Sequence, residues 1–499
     1  MSTNKIFKSV LTVTGFSVIT RGLSFVFKIY LSRTVGAEIM GLYQIALTVF
    51  FLFIALSTGG ISTVLSRKIA EESAIGNGKK SLTLLSTALI MGCTAAVVCL
   101  AVAYLSLPYL GFIITDERAI PLLKIMLPAL LSTTFYIIIR GWFWGNKYFT
   151  SFSASETIEE ILRILFTLLL VSGVVSGING TTGLALAFTL SDVIVGIIII
   201  VMFIKKGGKF TKHGDFLEIL RPATPLTIMK IFGSLAGTAV ALILPQGLIA
   251  GGATIAEATA SVGRISGMAN PLLFAPNAII GSLAIVLIPE LSADNAKGDK
   301  LRLKEHVSQG VTLATAVSGA FMVVYASLGK ELTAFLYNDL PSGEYLEIAC
   351  VLLLVMPIGQ MIASTMNSIG MEKENFISYS VGTVLMIVAC MILPKYIGVS
   401  AIIIADGLFL LTSTLLNVYF LRKSINGGLG ILKTLITVAI IAITCIILTE
   451  NVYGLTGRLN DIFALIVSAG IGAICYVILL TLSGMLDIKT IVFKKLKTQ

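Results

Sequence analysis

Arg21 and Lys28 stand seven residues apart in an apolar stretch, so a helix there carries them on one face, two turns apart. A guanidinium fork holds two oxygens of a phosphate at once and an ammonium adds a point charge, so the pair suits an anion. Snorkelling to a membrane surface is the plainer alternative, stronger for Lys28 than for Arg21. Farther along, Glu156, Glu159, Glu160 and Arg163 fall at about 0°, 300°, 40° and 340° around a helix turning 100° per residue. They share one face at contact spacing, which suits either a self-neutralising cluster or a charged gate. Arg140, Lys230 and Arg264 add cations, and Asp192 and Asp406 add acids, within or beside apolar runs. A charge at the bilayer centre costs roughly 2.5–3.5 kcal/mol even on a lenient scale, so these groups must line a wet chamber or pair with one another. A chamber of net positive charge favours an anionic occupant.

Composition dictates the elements that carry these groups. With 56% hydrophobic residues, 12% charged and a mean hydropathy of +0.97, the 499-residue chain reads as an all-α polytopic membrane protein. A helix needs about 20 apolar residues to cross the hydrocarbon. That rule gives about fourteen spans, near 8–31, 39–65, 82–107, 121–145, 156–178, 182–204, 222–249, 270–291, 307–328, 346–368, 377–393, 399–421, 432–449 and 461–484. The longest polar interval, Lys205 to Arg221, is too short to bury a core, so no catalytic domain is expected and the chain is not read as an enzyme. The first apolar stretch holds Arg21 and Lys28, which marks a retained span and not a secretory signal.

Lys and Arg divide between alternate loops at about 23 against about 6, which places both termini in the cytoplasm of a multi-pass cytoplasmic-membrane protein. The net charge of +10 therefore reflects topology and attraction to anionic lipid, and nucleic-acid binding is not expected. The six cysteines lie in apolar segments without CxxC spacing and read as packing residues. His213 and His306 read as loop residues, which leaves no His-based metal site.

The segment GGISTVLSRKIAEESAIGNGKKSL (Gly59 to Leu82) is echoed by GSLAIVLIPELSADNAKGDKL (Gly281 to Leu301), and RGWFWGNKYF (Arg140 to Phe149) by NSIGMEKENF (Asn367 to Phe376). The offsets between Gly59 and Gly281 and between Gly145 and Gly370 are 222 and 225 residues. An even number of spans separates the copies, so two six-helix halves running parallel around a central cavity are expected. The expected divisions are an N-lobe at 1–221, a C-lobe at 222–424, and two added helices with a basic cytoplasmic tail at 425–499. Because the repeat builds its cavity within one chain, a monomer is expected.

The run RGLSFVFKIYLSRTVGAEIMGLYQIALTV (Arg21 to Val49), then STGGISTVLSRKIAE, RGWFWGN, SETIEEILRI and GMANPLLFAPNAIIGSLAIVLIPELS (Gly267 to Ser292), resembles one family along the whole chain. It is the polysaccharide-exporter branch, typified by stage V sporulation protein B, of the multidrug, oligosaccharidyl-lipid and polysaccharide exporter superfamily, and it is related to lipid II flippases. The resemblance implies a V-shaped two-lobed fold and alternating access. It implies export of an undecaprenyl-diphosphate-linked saccharide, such as a peptidoglycan precursor, to the outer leaflet. In that light Arg21, Lys28, Arg140, Lys230 and Arg264 become cavity cations for the diphosphate.

No cofactor is implied. Coupling to Na+ or H+ through Asp192 and Asp406 stands beside coupling to the membrane potential alone, and an interhelical hydrogen bond is the plainer role for each acid. Lipid-linked oligosaccharide, membrane lipids and cell-wall synthesis enzymes are the expected partners. Two other readings stay open: a cation-coupled multidrug exporter of the same superfamily, and a non-transporting scaffold for wall synthesis.

Overall fold

The computed structural model describes residues 3–171, 177, 179–425, 427–456 and 461–485. Helices make up almost all of them, and no strand occurs among the described residues. The chain forms two compact units, Met1–Ile249 with Ala253–Gly263, and Ala250–Gly252 with Arg264–Gln499.

The first unit is built from α1 (Thr3–Thr58), α2 (Ile61–Ala74), α3 (Gly78–Leu110), α4 (Ala119–Met126), α5 (Ala129–Gly145), α6 (Phe149–Val171), α7 (Gly180–Lys205), α8 (Leu217–Ala250) and α9 (Ile255–Val262). Its core gathers Val64, Leu65 and Ile69 of α2, Leu84 and Leu85 of α3, Ile139, Trp142 and Phe143 of α5, and Ile199 and Phe203 of α7. Trp142 meets Phe203 edge to face with ring centroids 4.9 Å apart.

The second unit contains α10 (Asn270–Leu273), α11 (Pro276–Lys297), α12 (Lys300–Tyr337), α13 (Leu340–Ala349), α14 (Met356–Ser368), α15 (Glu372–Ile392), α16 (Pro394–Ile397), α17 (Ser400–Ile425), α18 (Ile431–Thr456) and α19 (Asp461–Leu482). Leu303, Val307 and Val311 of α12 pack with Met361, Ile362 and Met366 of α14 and Leu421 and Ile425 of α17. Outward faces of both units are apolar. Val97, Val98 and Val102 on α3, and Ile440, Ile443 and Ile447 on α18, are exposed at positions that water would not tolerate as a continuous patch.

Nine described helices are long and apolar enough to cross a membrane, or eleven when each bent pair counts as one span. The bent pairs are α4 with α5, at 52°, and residues 340–354 with α14, at 44°. Four of the stretches expected as separate spans, 8–31, 39–65, 156–178 and 270–291, read differently for physical reasons. Helix α1 runs through two of them, broken only at Gly36 (φ 75°, ψ 175°), a left-handed conformation that glycine adopts without penalty. Helix α6 carries four charges on its inner face and so fails a test of apolarity. The stretch from Ile255 to Lys297 is interrupted by a wider π-type turn at Gly263–Ala269.

The compact units also divide elsewhere than at 221/222. Polar fasteners hold α8 to the first unit: Gly60 N donates to Thr227 Oγ1 (2.8 Å), Thr238 Oγ1 to the Thr48 carbonyl (3.3 Å) and Gln246 Nε2 to the Ile113 carbonyl (2.8 Å). Helix α9 is held there by contact of Gly41 with the Thr259 backbone, so close that a Cβ on Gly41 would overlap the Thr259 carbonyl. The expected extra helices α18 and α19 belong to the second unit, and the basic tail after residue 485 lies outside the described residues. His306, expected in a loop, lies in α12 with Nδ1 2.6 Å from Asp294 Oδ2 and Nε2 3.7 Å from Glu290 Oε2.

One corner of the first unit is held by Asp116. It accepts from Arg118 Nε (2.9 Å) and Nη2 (2.7 Å) and from Thr259 Oγ1 (2.9 Å), while Arg118 Nη2 also reaches Glu38 Oε1 (2.6 Å). Burial penalises the charged form of Asp116, but the bonds from Arg118 and Thr259 outweigh it and hold the carboxyl below its ordinary value. The stabilisation is therefore fully present above about pH 4, the unfolded-state value, and is lost as pH falls through the lower folded-state value. Thermal melts of the purified protein should lose less stability between pH 5 and pH 3 in Asp116→Asn than in the parent. Gly41→Val should cost about 1–3 kcal/mol by overpacking the α1–α9 contact, read as a lowered melting temperature.

Candidate functional site

The expected charged face of α6 lies inside the first unit and divides between two partners. Arg163 Nη2 donates to Glu159 Oε1 (2.6 Å) and to Asp192 Oδ1 of α7 (3.3 Å), and Nη1 to Glu160 Oε2 (3.4 Å). Its guanidinium also lies over the Phe188 ring, 5.2 Å from the centroid. Asp192 accepts a second bond from Thr133 Oγ1 of α5 (2.5 Å), and Ser132 Oγ donates to the Asp192 carbonyl (2.7 Å). Across on α1, Lys28 is within electrostatic reach of Glu160, and the buried Tyr43 of Arg163 and Asp192. Three carboxylates thus surround one guanidinium and one nearby ammonium. With all of them ionised the cluster carries one negative charge in excess.

Glu156, the fourth residue of that face, turns away from Arg163. It accepts from Arg140 Nη2 of α5 (2.8 Å), whose guanidinium covers the Phe152 ring at 4.1 Å. The four charges of α6 therefore form two clusters and not one. Asp192 makes the interhelical bonds that were the plainer expectation for it, and its bond to Arg163 joins α6 to α7.

The five expected cavity cations separate by what they touch. Arg21 is exposed and has no hydrogen-bond or ion-pair partner among the described residues. One residue earlier, Thr20 Oγ1 lies 2.8 Å from Thr157 Oγ1 and fixes α1 against α6 at that level. Lys28 faces Glu160, and Arg140 is paired with Glu156. Lys230 of α8 donates to the Gly59 carbonyl (2.9 Å) and approaches Thr63 Oγ1 (3.4 Å), capping the break between α1 and α2. In the second unit, Arg264 Nε donates to both Asp339 oxygens at 3.1 Å, while Asp339 also caps α13 through Ser342 N (2.9 Å).

Asp406 of α17 has no hydrogen-bond or ion-pair partner among the described residues. It is within electrostatic reach of Tyr345, whose buried hydroxyl is likewise without a partner among them. The two acids expected as counterparts therefore sit in different chemistry: Asp192 is bonded to a cation, and Asp406 has no such bond among the described residues. No group of three or more His, Cys, Asp and Glu suited to a metal occurs among the described residues.

Sequence spacing missed Thr133, Tyr43 and Phe188, because each reaches the cluster from another helix. The run STT at 132–134, placing three hydroxyls inside an apolar helix, was the available signal for α5. Replacing Arg163 by Met leaves the carboxylates without their common partner and should destabilise the first unit by about 3–5 kcal/mol. Arg163→Lys should recover part of it, with both read as melting temperature in detergent.

The chain matches the family described as polysaccharide biosynthesis protein over residues 6–293. It is 25% identical over 365 residues to stage V sporulation protein B of Bacillus subtilis (strain 168), covering 70% of each chain. It is 21% identical over 460 residues to lipid II flippase MurJ of the same organism, covering 84% of this chain and 83% of that protein. Among solved structures, lipid II flippase MurJ in an inward closed conformation superposes with a TM-score of 0.73 at 15% identity, covering 95% of this chain and 98% of that one. An inward-facing multidrug resistance MATE family transporter of the MOP superfamily gives 0.69 at 16% identity, over 83% and 96%. These likenesses establish the fold. The chain is a multi-pass membrane protein that belongs to the polysaccharide biosynthesis protein family.

Proposed function

We propose that this protein is an alternating-access flippase that moves an undecaprenyl-diphosphate-linked saccharide from the inner to the outer leaflet of the cytoplasmic membrane. The observation that carries the reading is Arg21: a cation on a membrane-embedded helix with no partner among the described residues, two turns before Lys28. A free guanidinium in such a place is stable only beside water or an anionic ligand, and a diphosphate supplies the oxygen pairs it binds best. The names of the relatives, one of them a lipid II flippase, support the same cargo class. Lipid II and other envelope glycans on the same carrier fit the chemistry equally.

The protein then acts as a transporter and not as an enzyme, with both termini cytoplasmic and one chain sufficient for the cavity. Membrane lipids are its surroundings, and wall-synthesis enzymes would receive its product. The membrane potential assists export by roughly 2.3 kcal/mol per negative charge per 100 mV. A coupling ion has two places to act, the excess carboxylate around Arg163 and the unpaired Asp406. The apolar outward faces of α18 and α19 suit a polyprenyl tail that never leaves lipid.

Cells depleted of their own lipid II flippase test the reading. The parent chain is expected to restore growth and outer-leaflet accessibility of lipid II, and Arg21→Ala to lower that accessibility by at least ten-fold at equal expression. Rescue by both chains would remove the diphosphate grip. Failure of a well-expressed parent would move the cargo to another polyprenyl-linked glycan, and drug efflux by the same cells would favour the multidrug alternative.

A further inference from the structure

Between α2, α5 and α6 of the first unit lies a cavity of about 340 Å³, apart from the Arg163 cluster. At two of its lining residues, Ser62 and Gly141, α2 and α5 touch along their backbones: a Cβ on Gly141 would stand 2.9 Å from the Ser62 carbonyl, so only glycine allows this approach. Trp144 and Phe152 form its aromatic wall, their rings 4.7 Å apart and inclined at 62°. Trp144 is 43% exposed, whereas Trp142, two residues earlier, is 4% exposed in the core.

The polar groups of the cavity are incompletely used. Arg140 gives one N–H to Glu156, and its buried Nε has no partner among the described residues. The Ser62 hydroxyl makes no hydrogen bond among the described residues, and Ser66 donates to the Thr63 carbonyl (2.9 Å) but keeps its oxygen free to accept. A buried unpaired donor of this kind calls for a ligand or water.

We propose that this cavity is a saccharide subsite. The proposal rests on the flippase reading and deepens it by locating where the sugar part of the cargo is held. A hexose ring has an apolar C–H face and a rim of hydroxyls that both donate and accept. The cavity offers the counterparts together: the Trp144 face, the guanidinium of Arg140, and the hydroxyls of Ser62, Thr63 and Ser66. A phosphate is the poorer occupant, because Glu156 already neutralises Arg140. An acyl chain is poorer still, because it would leave the guanidinium and hydroxyls unsatisfied.

The chain has two tryptophans, so Trp142→Phe makes Trp144 the sole reporter in the purified full-length protein. N-acetylglucosamine and glucose serve as probes, and inorganic phosphate and sorbitol as controls. At least one hexose should change Trp144 emission saturably, and Ser62→Val should weaken its half-saturation by ten-fold or more. If Trp142→Phe lowers folding yield, saturation-transfer NMR on the native chain reads the same contact, and the hexose signal should vanish in Trp144→Leu. A monodisperse protein that gives no saturable response to either hexose overturns the proposal. So does a response to phosphate or sorbitol of equal size. Arg21-dependent rescue of flipping without any hexose response would remove the subsite alone. A hexose response at Trp144 in a chain that fails the rescue would keep the subsite and remove the transport reading.

Discussion

Burying a guanidinium inside a bundle of apolar helices is costly unless its charge is answered, and the first unit is arranged around doing so for Arg163, whose two terminal nitrogens are paired while its Nε has no partner among the described residues. Glu159 and Glu160 come from the same helix, and Asp192 comes from the next one. Thr133 of α5 then fixes Asp192, while Lys28 and Tyr43 of α1 lie within electrostatic reach of the same carboxylates. Four helices thus converge on one charge, and their mutual register follows from it. Removing one partner of such a group costs far more than the group contributes when complete. The cluster therefore reads as a device that fixes geometry.

Against that fixed centre the remaining cations take distinct parts. Arg140 is tied to Glu156, Lys230 to the carbonyl of a broken helix and Arg264 to the acid that caps α13. Arg21 has no partner among the described residues, which is why the proposed binding role rests on it and not equally on all five. The second unit has no counterpart of the Arg163 cluster: Asp406 occupies the place expected to mirror Asp192 but has no cation beside it among the described residues. Two halves that echo each other in sequence have thus diverged in their electrostatics.

Much of this was legible in the sequence. Helical class and membrane residence followed from composition and apolar run length, and the 100° rule placed Glu156, Glu159, Glu160 and Arg163 on one face. The rule did not say which partners those charges take, because Asp192 and Arg140 lie on other helices and only tertiary packing brings them near. The Gly59–Gly60 pair was visible as the start of a repeated segment, yet its physical role was hidden. It breaks the helix and leaves a carbonyl for Lys230, so a lysine expected to face the cavity became a cap. The same contact is among those that hold α8 to the first unit, against the boundary that the even spacing of the repeat suggested. Arg264 and Asp339 are 75 residues apart, beyond the reach of any local pattern.

Helix α6 carries three carboxylates and one guanidinium, a surplus of two negative charges when all are ionised. A segment so charged partitions poorly into lipid by itself. The cations that face its carboxylates, Lys28 of α1 and Arg140 of α5, both precede it in the chain. Asp192 lies 29 residues beyond Arg163 and adds a further carboxylate that ties α6 to α7. Chain order thus puts the balancing cations of the first unit ahead of the acids they answer.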